Sequence, residues 1–256
     1  MEDHQPVRAR PARGIYLLPN LLTTGGLFAG FYAIIAATQD RFVDACVAVF
    51  VAAILDGLDG RIARLTNTQT EFGTQYDSLA DLVSFGMAPA LVMYHWSLSM
   101  LQFLGPVWAK AGWAAAFLYA ACAALRLARF NTQVGVVDKR WFIGLASPAA
   151  AATMMSLIWT LHDFGYGGAD VRYVALAVTV VAALLMVSRV RYYSFKTLPF
   201  AGRVPFVGLL VALLVLVALA VDTPRVLLAI SGVYLLSGPL HWLVRKARPR
   251  AATPPE

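Results

Sequence analysis

The sequence predicts an all-α membrane protein, a polytopic bundle of about eight transmembrane helices. Two observations lead there. Hydrophobic residues make up 59% of the 256-residue chain and charged residues only 14%, against roughly 25% charged in soluble proteins. The mean hydropathy is +0.66, and the apolar residues fall in runs near the roughly 20 that a helical span needs. This excludes a soluble globular domain, a disordered chain and a fibrous repeat.

The spans can be placed in order. Residues 1–14 are polar and proline-containing, and read as a cytosolic tail. The first apolar run, at about 17–37, is too long for a cleaved signal and lacks a small-residue cleavage site, so it reads as a span. Further spans follow at about 42–64, 74–99, 111–131, 144–162 and 171–189. Ser147-Pro148 reads as the start of the fifth helix. The runs at about 204–221 and 224–244 are parted only by Val221-Asp222-Thr223-Pro224, which makes them a helical hairpin. The expected organisation is therefore a core over 15–200, a transmembrane hairpin over 201–245 and a cytosolic tail over 246–256. No 20–50-residue repeat is visible.

Charge placement sets the orientation. With the N-terminus in the cytosol, all of the 21 Lys and Arg except Arg41, Lys110, Arg172 and Arg225 fall on or near the cytosolic side. The positive-inside rule then places both termini, and the loops at about 65–73, 132–143 and 190–203, in the cytosol. In so apolar a chain the net charge of +7 points to cytosolic loops and anionic lipid, not to nucleic acid. Cys46 and Cys122 lie in apolar runs and read as small buried hydrophobes. His4, His95, His162 and His241 are scattered without helical pairing, which argues against a zinc site.

One stretch carries chemistry. Asp56, Asp59, Gly60 and Ala63 are spaced i, i+3, i+4, i+7, and share one face at the end of the second helix. Gly73, Asp77, Asp81 and Ser84 are spaced i, i+4, i+8, i+11 at the start of the third. A short loop makes the two helices antiparallel neighbours, so the four carboxylates can converge in one cavity. An acid at the bilayer centre costs roughly 2.5–3.5 kcal/mol, and less near the interface. Four together would repel one another unless a cation neutralised them, and Mg²⁺ or Mn²⁺ suits such an oxygen cluster. Gly60, Ala63 and Gly73 remove bulk from the acidic faces, either for close helix packing or for a ligand. Arg64, one turn after Gly60, is placed to neutralise a phosphate and to act as a positive-inside anchor.

The spacing D-x2-D-G-x2-A-R-x8-G-x3-D-x3-D, filled at every fixed position between Asp56 and Asp81, resembles the signature of the CDP-alcohol phosphatidyltransferases. That resemblance implies a mostly helical membrane enzyme, a homodimer, with a cytosol-facing cavity holding two divalent metal ions. It makes Asp56, Asp59 and Asp77 metal ligands, and Asp81 both a ligand and the general base. Gly60, Ala63, Arg64 and Gly73 would lie along the CDP moiety.

Other stretches resemble the branch of that family whose acceptor is L-serine. They are Leu18-Pro19-Asn20-Leu-Leu-Thr23-Thr24, Arg126-Leu-Ala-Arg129-Phe-Asn131, Gly144-Leu-Ala-Ser147-Pro148, and Val187-Ser188 through Arg191 and Ser194-Phe195-Lys196. The activity implied is synthesis of phosphatidylserine and CMP from CDP-diacylglycerol and L-serine in a bacterial inner membrane. Asn20 and Thr24, at i and i+4, can hydrogen-bond the nucleotide or a phosphate, or simply cap the first helix. Arg126 and Arg129, with Asn131 just beyond, are candidates for the serine site, because an arginine fork matches a carboxylate. A phosphorylated acceptor would want arginine too, so synthesis of phosphatidylglycerophosphate or phosphatidylinositol phosphate stays open. A divalent-cation or proton transporter would also use buried acids, but does not account for the spacing of Gly60, Arg64 and Gly73.

Overall fold

A computed structural model describes residues 17–66, 68–132, 141–193 and 206–247. The two tails, Lys139, Arg140 and the Ser194-Phe195-Lys196 stretch lie outside the described residues, apart from the last residues of the C-terminal helix. The chain runs as α1 (Leu17–Thr38), α2 (Phe42–Leu65), α3 (Glu71–Asp81), a π-helical segment (Leu82–Met87) and α4 (Ala88–Trp96). A 3₁₀ segment (Leu98–Leu104) leads into α5 (Pro106–Thr132), followed by β1 (Trp141–Ile143), α6 (Ser147–Asp163) and α7 (Arg172–Val187). Then come β2 (Arg191–Tyr193), α8 (Phe206–Val221) and α9 (Thr223–Ala247).

Local chemistry sets the helix ends. The Thr70 side chain caps α3 by accepting the Gly73 amide at 3.0 Å, as a threonine N-cap does. Prolines open α5 and α6, where a missing N–H is harmless. At the end of α6, Gly165 takes φ 79°, and its N–H and that of Tyr166 satisfy the carbonyls of His162 and Leu161.

Small residues let the bundle close. α1 buries Gly26, Ala29, Gly30, Ala33 and Ala37 against α2, α4 and the π segment, and α2 buries Ala45, Cys46, Val49 and Ala52. Without a hydrophobic drive between helices in lipid, close backbone packing supplies the contact energy. Phe85, Met93, Tyr119, Met154, Met155, Ile158 and Met186 are fully buried at the centre. Cys46 and Cys122 are buried, as the apolar runs implied. α8 is the opposite case: it buries no residue and packs against α9, as a lipid-facing helix does.

Among the described residues, Leu17–Thr38, Pro106–Thr132 and Thr223–Val244 are each long and apolar enough to cross a membrane, and Arg172–Val187 and Phe206–Val221 are shorter apolar helices. α2 has the length, but it carries Asp44, Asp56, Asp59, Arg61 and Arg64.

Two local features differ from the sequence reading. The span expected at 74–99 begins at Glu71, because Thr70 caps it, and changes helical pitch at Leu82. The parts of the expected loops at 132–143 and 190–203 that are described include a two-stranded antiparallel ribbon, with Trp141 opposite Tyr193 and Ile143 opposite Arg191. Three-residue strands are too short to show a period-2 pattern.

The π segment is clamped from both sides. Ser84 Oγ donates to the Gly26 carbonyl of α1 at 3.0 Å, and Tyr119 Oη of α5 donates to the Phe85 carbonyl at 3.2 Å. A Cβ on Gly30 would lie 2.7 Å from Ser84 Cα. Overpacking a core typically costs about 1–3 kcal/mol. Gly30→Val should therefore lower the melting temperature in detergent. Gly57→Ala, where a Cβ meets nothing within 4 Å, should leave it unchanged. Equal melting temperatures for the two variants would contradict this packing.

Candidate active site

The helical periods of α2 and α3 bring the acids together. Asp56 and Asp59 lie one turn apart near the end of α2, and Asp77 and Asp81 one turn apart on α3. The loop between them is stitched by the Thr66 and Thr68 hydroxyls, 2.7 Å apart, and by the Thr70 cap. One carboxylate oxygen from each of Asp56, Asp59 and Asp77 lies within 4.8 Å of the others. Asp59 is buried, and the other two are half-buried.

These three face a small open cleft between α1, α2, α3 and the π segment. Thr23, Gly26, Ala52, Ala80, Ser84 and Phe85 form its other walls, and Asp81 lines it as well. Asp81 stands outside the close trio, in the electrostatic field of Asp56, Asp77, Asp59 and Arg126. Three carboxylates within reach of one point form an all-oxygen donor set, which fits a hard metal ion and not a thiophilic one.

Thr23 was not singled out among the site residues from sequence. Its hydroxyl lies 2.6 Å from Asp59 Oδ2 and donates to it, fixing that carboxylate as outer-shell partners fix metal ligands. The signal was present: Thr23 lies one turn after Asn20 in the polar stretch that opens α1.

The remaining candidates fall around this centre. A Cβ on Gly60 would meet only the Arg64 guanidinium nitrogens, the nearer at 3.6 Å, so no other helix requires a glycine there. Ala63 follows on the same helix, half-buried. A Cβ on Gly73 would meet Thr70 Oγ1 at 3.1 Å and Asn20 Oδ1 at 3.5 Å, so α1 and the start of α3 approach closely there. Thr24 donates to the Asn20 carbonyl at 2.7 Å and its hydroxyl lies 2.9 Å from Tyr76 Oη. The start of α1 is thus tied to α3.

Arg126 and Arg129 separate in environment although they share a helix. Arg126 Nη1 donates to Ser147 Oγ at the start of α6 at 2.9 Å, and its guanidinium interacts electrostatically with Asp81. Its Nε is buried with no hydrogen-bond partner among the described residues. Arg129 sits half-buried in the last turn of α5. The Asn131 amide donates to Ser78 Oγ at 3.0 Å and so holds the end of α5 against α3. Ser147, read from sequence as a helix start, is also a partner of Arg126.

Residues 16–188 match the family described as CDP-alcohol phosphatidyltransferase. The chain belongs to that family. Among curated proteins it is similar to the CDP-diacylglycerol–serine O-phosphatidyltransferase of Helicobacter pylori, 37% identical over 91% of this chain and 94% of that one. The proteins of the same name from Mycobacterium leprae and Bacillus subtilis are 33% and 31% identical, over 84% and 70% of this chain and 70% and 91% of theirs. The family is a membrane helical fold, and the chain is an integral membrane enzyme.

The Thr23 hydroxyl is placed to hold the Asp59 carboxylate in the orientation a metal ion would need. Loss of an outer-shell partner typically weakens metal binding roughly 10–100-fold. Thr23→Val should raise the divalent-ion concentration needed for half-maximal activity by about that factor. An unchanged requirement would show that the contact with Asp59 does not orient a ligand.

Proposed function

We propose that the protein transfers the phosphatidyl group of CDP-diacylglycerol to L-serine, giving phosphatidylserine and CMP. The observation that carries this reading is the meeting of Asp56, Asp59 and Asp77 in one cavity with Asp81 and, beside it, Arg126. The printed names of the relatives support serine as acceptor.

Each residue has a role in this reading. Asp56, Asp59 and Asp77, with Asp81 at the edge, would hold two Mg²⁺ or Mn²⁺ ions. Bound there, the ions would supply positive charge for the pyrophosphate and for the charge that develops during transfer. Gly60 leaves the face of α2 open for the CDP moiety, alongside Ala63 and Gly73, and Arg64 offers a guanidinium to a phosphate. Asn20 and Thr24 close the nucleotide side at the start of α1. The diacylglycerol tails stay in lipid.

The chemistry at the acceptor follows from Asp81 and Arg126. A serine hydroxyl is a weak nucleophile and must lose its proton as the bond forms. Asp81 takes that proton. The oxygen bonds to the phosphorus that carries diacylglycerol, the bond from that phosphorus to the CMP oxygen breaks, and CMP leaves. No covalent enzyme intermediate is needed; the catalytic work is positioning and electrostatics. The buried Nε of Arg126, beside the Nη1 held by Ser147, offers a donor to the serine carboxylate. Arg129 adds positive charge at the same end of α5, and Asn131 keeps that end in place on Ser78.

The reading extends to assembly and placement. The distribution of Lys and Arg supports both termini and the cavity on the cytosolic side. The bacterial sources of the relatives named above support the bacterial cytoplasmic membrane, which is the inner membrane where a cell has two. The signature between Asp56 and Asp81 supports a homodimer, as in the family it resembles.

One assay tests the chemistry and the acceptor together. CMP release from CDP-diacylglycerol should need serine, stop on chelation, and return with Mg²⁺ or Mn²⁺. Glycerol 3-phosphate should not replace serine. Leaving one charge of a buried pair without its partner costs about 2–5 kcal/mol, so Arg126→Ala should raise the KM for serine at least roughly tenfold. The KM for CDP-diacylglycerol should be unaffected. Release that persists after chelation, or that prefers glycerol 3-phosphate, would overturn the reading.

A further inference from the structure

α5 lies antiparallel against the third span and is pinned to it at two levels. Tyr119 Oη donates to the Phe85 carbonyl at 3.2 Å, and the Asn131 amide donates to Ser78 Oγ at 3.0 Å. Beside the first pin, a Cβ on Gly86 would lie 3.1 Å from Ala123 Cβ. Arg126 follows two turns after Tyr119 and one turn after Ala123, so it stays on the face of α5 that meets the third span. Asp81, which lines the acidic cleft, takes the matching level between Ser78 and Phe85. Helix packing thus brings Arg126 to the edge of that cleft.

From the other side the guanidinium is held by α6. Arg126 Nη1 donates to Ser147 Oγ at 2.9 Å, while Nε is buried with no hydrogen-bond partner among the described residues. The positive end of the α6 dipole disfavours a cation, so the stability of α6 does not explain this contact. Ser147 is itself fully buried, and the chain leading into it is fastened. Gly144 takes φ 82°, which favours glycine, and lies so close to the Met186 carbonyl that a Cβ would not fit. The Gly144 amide donates to the Val190 carbonyl at 2.8 Å, and the Leu145 amide to the Leu185 carbonyl at 3.0 Å. Just before them, Ile143 of β1 pairs with Arg191 of β2. The Ser147 oxygen therefore sits at a fixed point relative to the end of α7.

We infer that Ser147 is a positioning residue for the acceptor: by accepting from Nη1 it fixes the Arg126 guanidinium and leaves Nε for the carboxylate of serine. The inference rests on the serine reading above. A guanidinium binds a carboxylate through N–H groups in one plane, so a plane fixed in advance favours recognition. A buried N–H without a partner costs free energy until something accepts from it, and Nε is such a group. The stretch from Gly144 to Ser147 thus serves acceptor recognition and not the metal cluster.

The test is Ser147→Ala in the full-length protein, alone and combined with Arg126→Ala. The substitution removes one oxygen atom and keeps the Cβ. Loss of one hydrogen bond costs a factor of roughly five. The KM for serine should therefore rise about fivefold, with the KM for CDP-diacylglycerol unchanged. In the Arg126→Ala background, Ser147→Ala should raise the KM for serine no further, because a positioning residue acts only through the group it positions. An unchanged KM for serine in the single variant overturns the inference. So does an equal further rise in the double variant, or a parallel rise in the KM for CDP-diacylglycerol, either of which would mean that the hydroxyl only supports the packing of α6. The acceptor preference of the wild type, read in the same assay, judges the serine reading separately.

Discussion

Carboxylates held within 4.8 Å of one another at the mouth of a helical bundle repel, and that repulsion organises the rest of the structure. It is strongest where water is scarce, since the effective dielectric falls on leaving bulk solvent. A divalent cation would turn that repulsion into attraction, and the surrounding fold holds the oxygens in place. Thr23 fixes one carboxylate from α1, and the Thr70 cap fixes the start of the helix that brings two more.

Next to this cluster the third span is not a simple helix. Asp81 is the last α-helical residue before the pitch widens at Leu82. π segments inside helices are frequent at functional sites because they re-aim the side chains around them. Here the widened turn is clamped by Ser84 on the Gly26 carbonyl and by Tyr119 on the Phe85 carbonyl. Close approach of α1 is possible only because Gly30 has no side chain. Packing and chemistry meet at this segment: the residues that close the bundle also set the depth of the cavity.

Much of this was legible in the sequence, and the reasons are specific. Apolar runs of span length placed the helices, because a bilayer imposes a minimum length. The i, i+3 and i, i+4 spacings of Asp56, Asp59, Asp77 and Asp81 placed the acids on facing stripes, because 3.6 residues make a turn. The π segment was hidden, because LVSFGM reads like any apolar helix. The ribbon between β1 and β2 joins strands nearly fifty residues apart and too short to show a pattern. The hydrogen-bond partner of Arg126 was hidden for a similar reason. Ser147 comes from helix α6, and no local pattern announces which distant hydroxyl a guanidinium will find.

The central claim is that Asp56, Asp59 and Asp77 form one metal-binding unit rather than three separately solvated acids. Electron paramagnetic resonance of Mn²⁺ binding to the purified protein, without turnover, addresses it directly. Wild type should bind two ions per chain, and Asp59→Asn should lose at least one of them while keeping its melting temperature. Mn²⁺ binding by Asp59→Asn with wild-type stoichiometry and affinity would contradict the account.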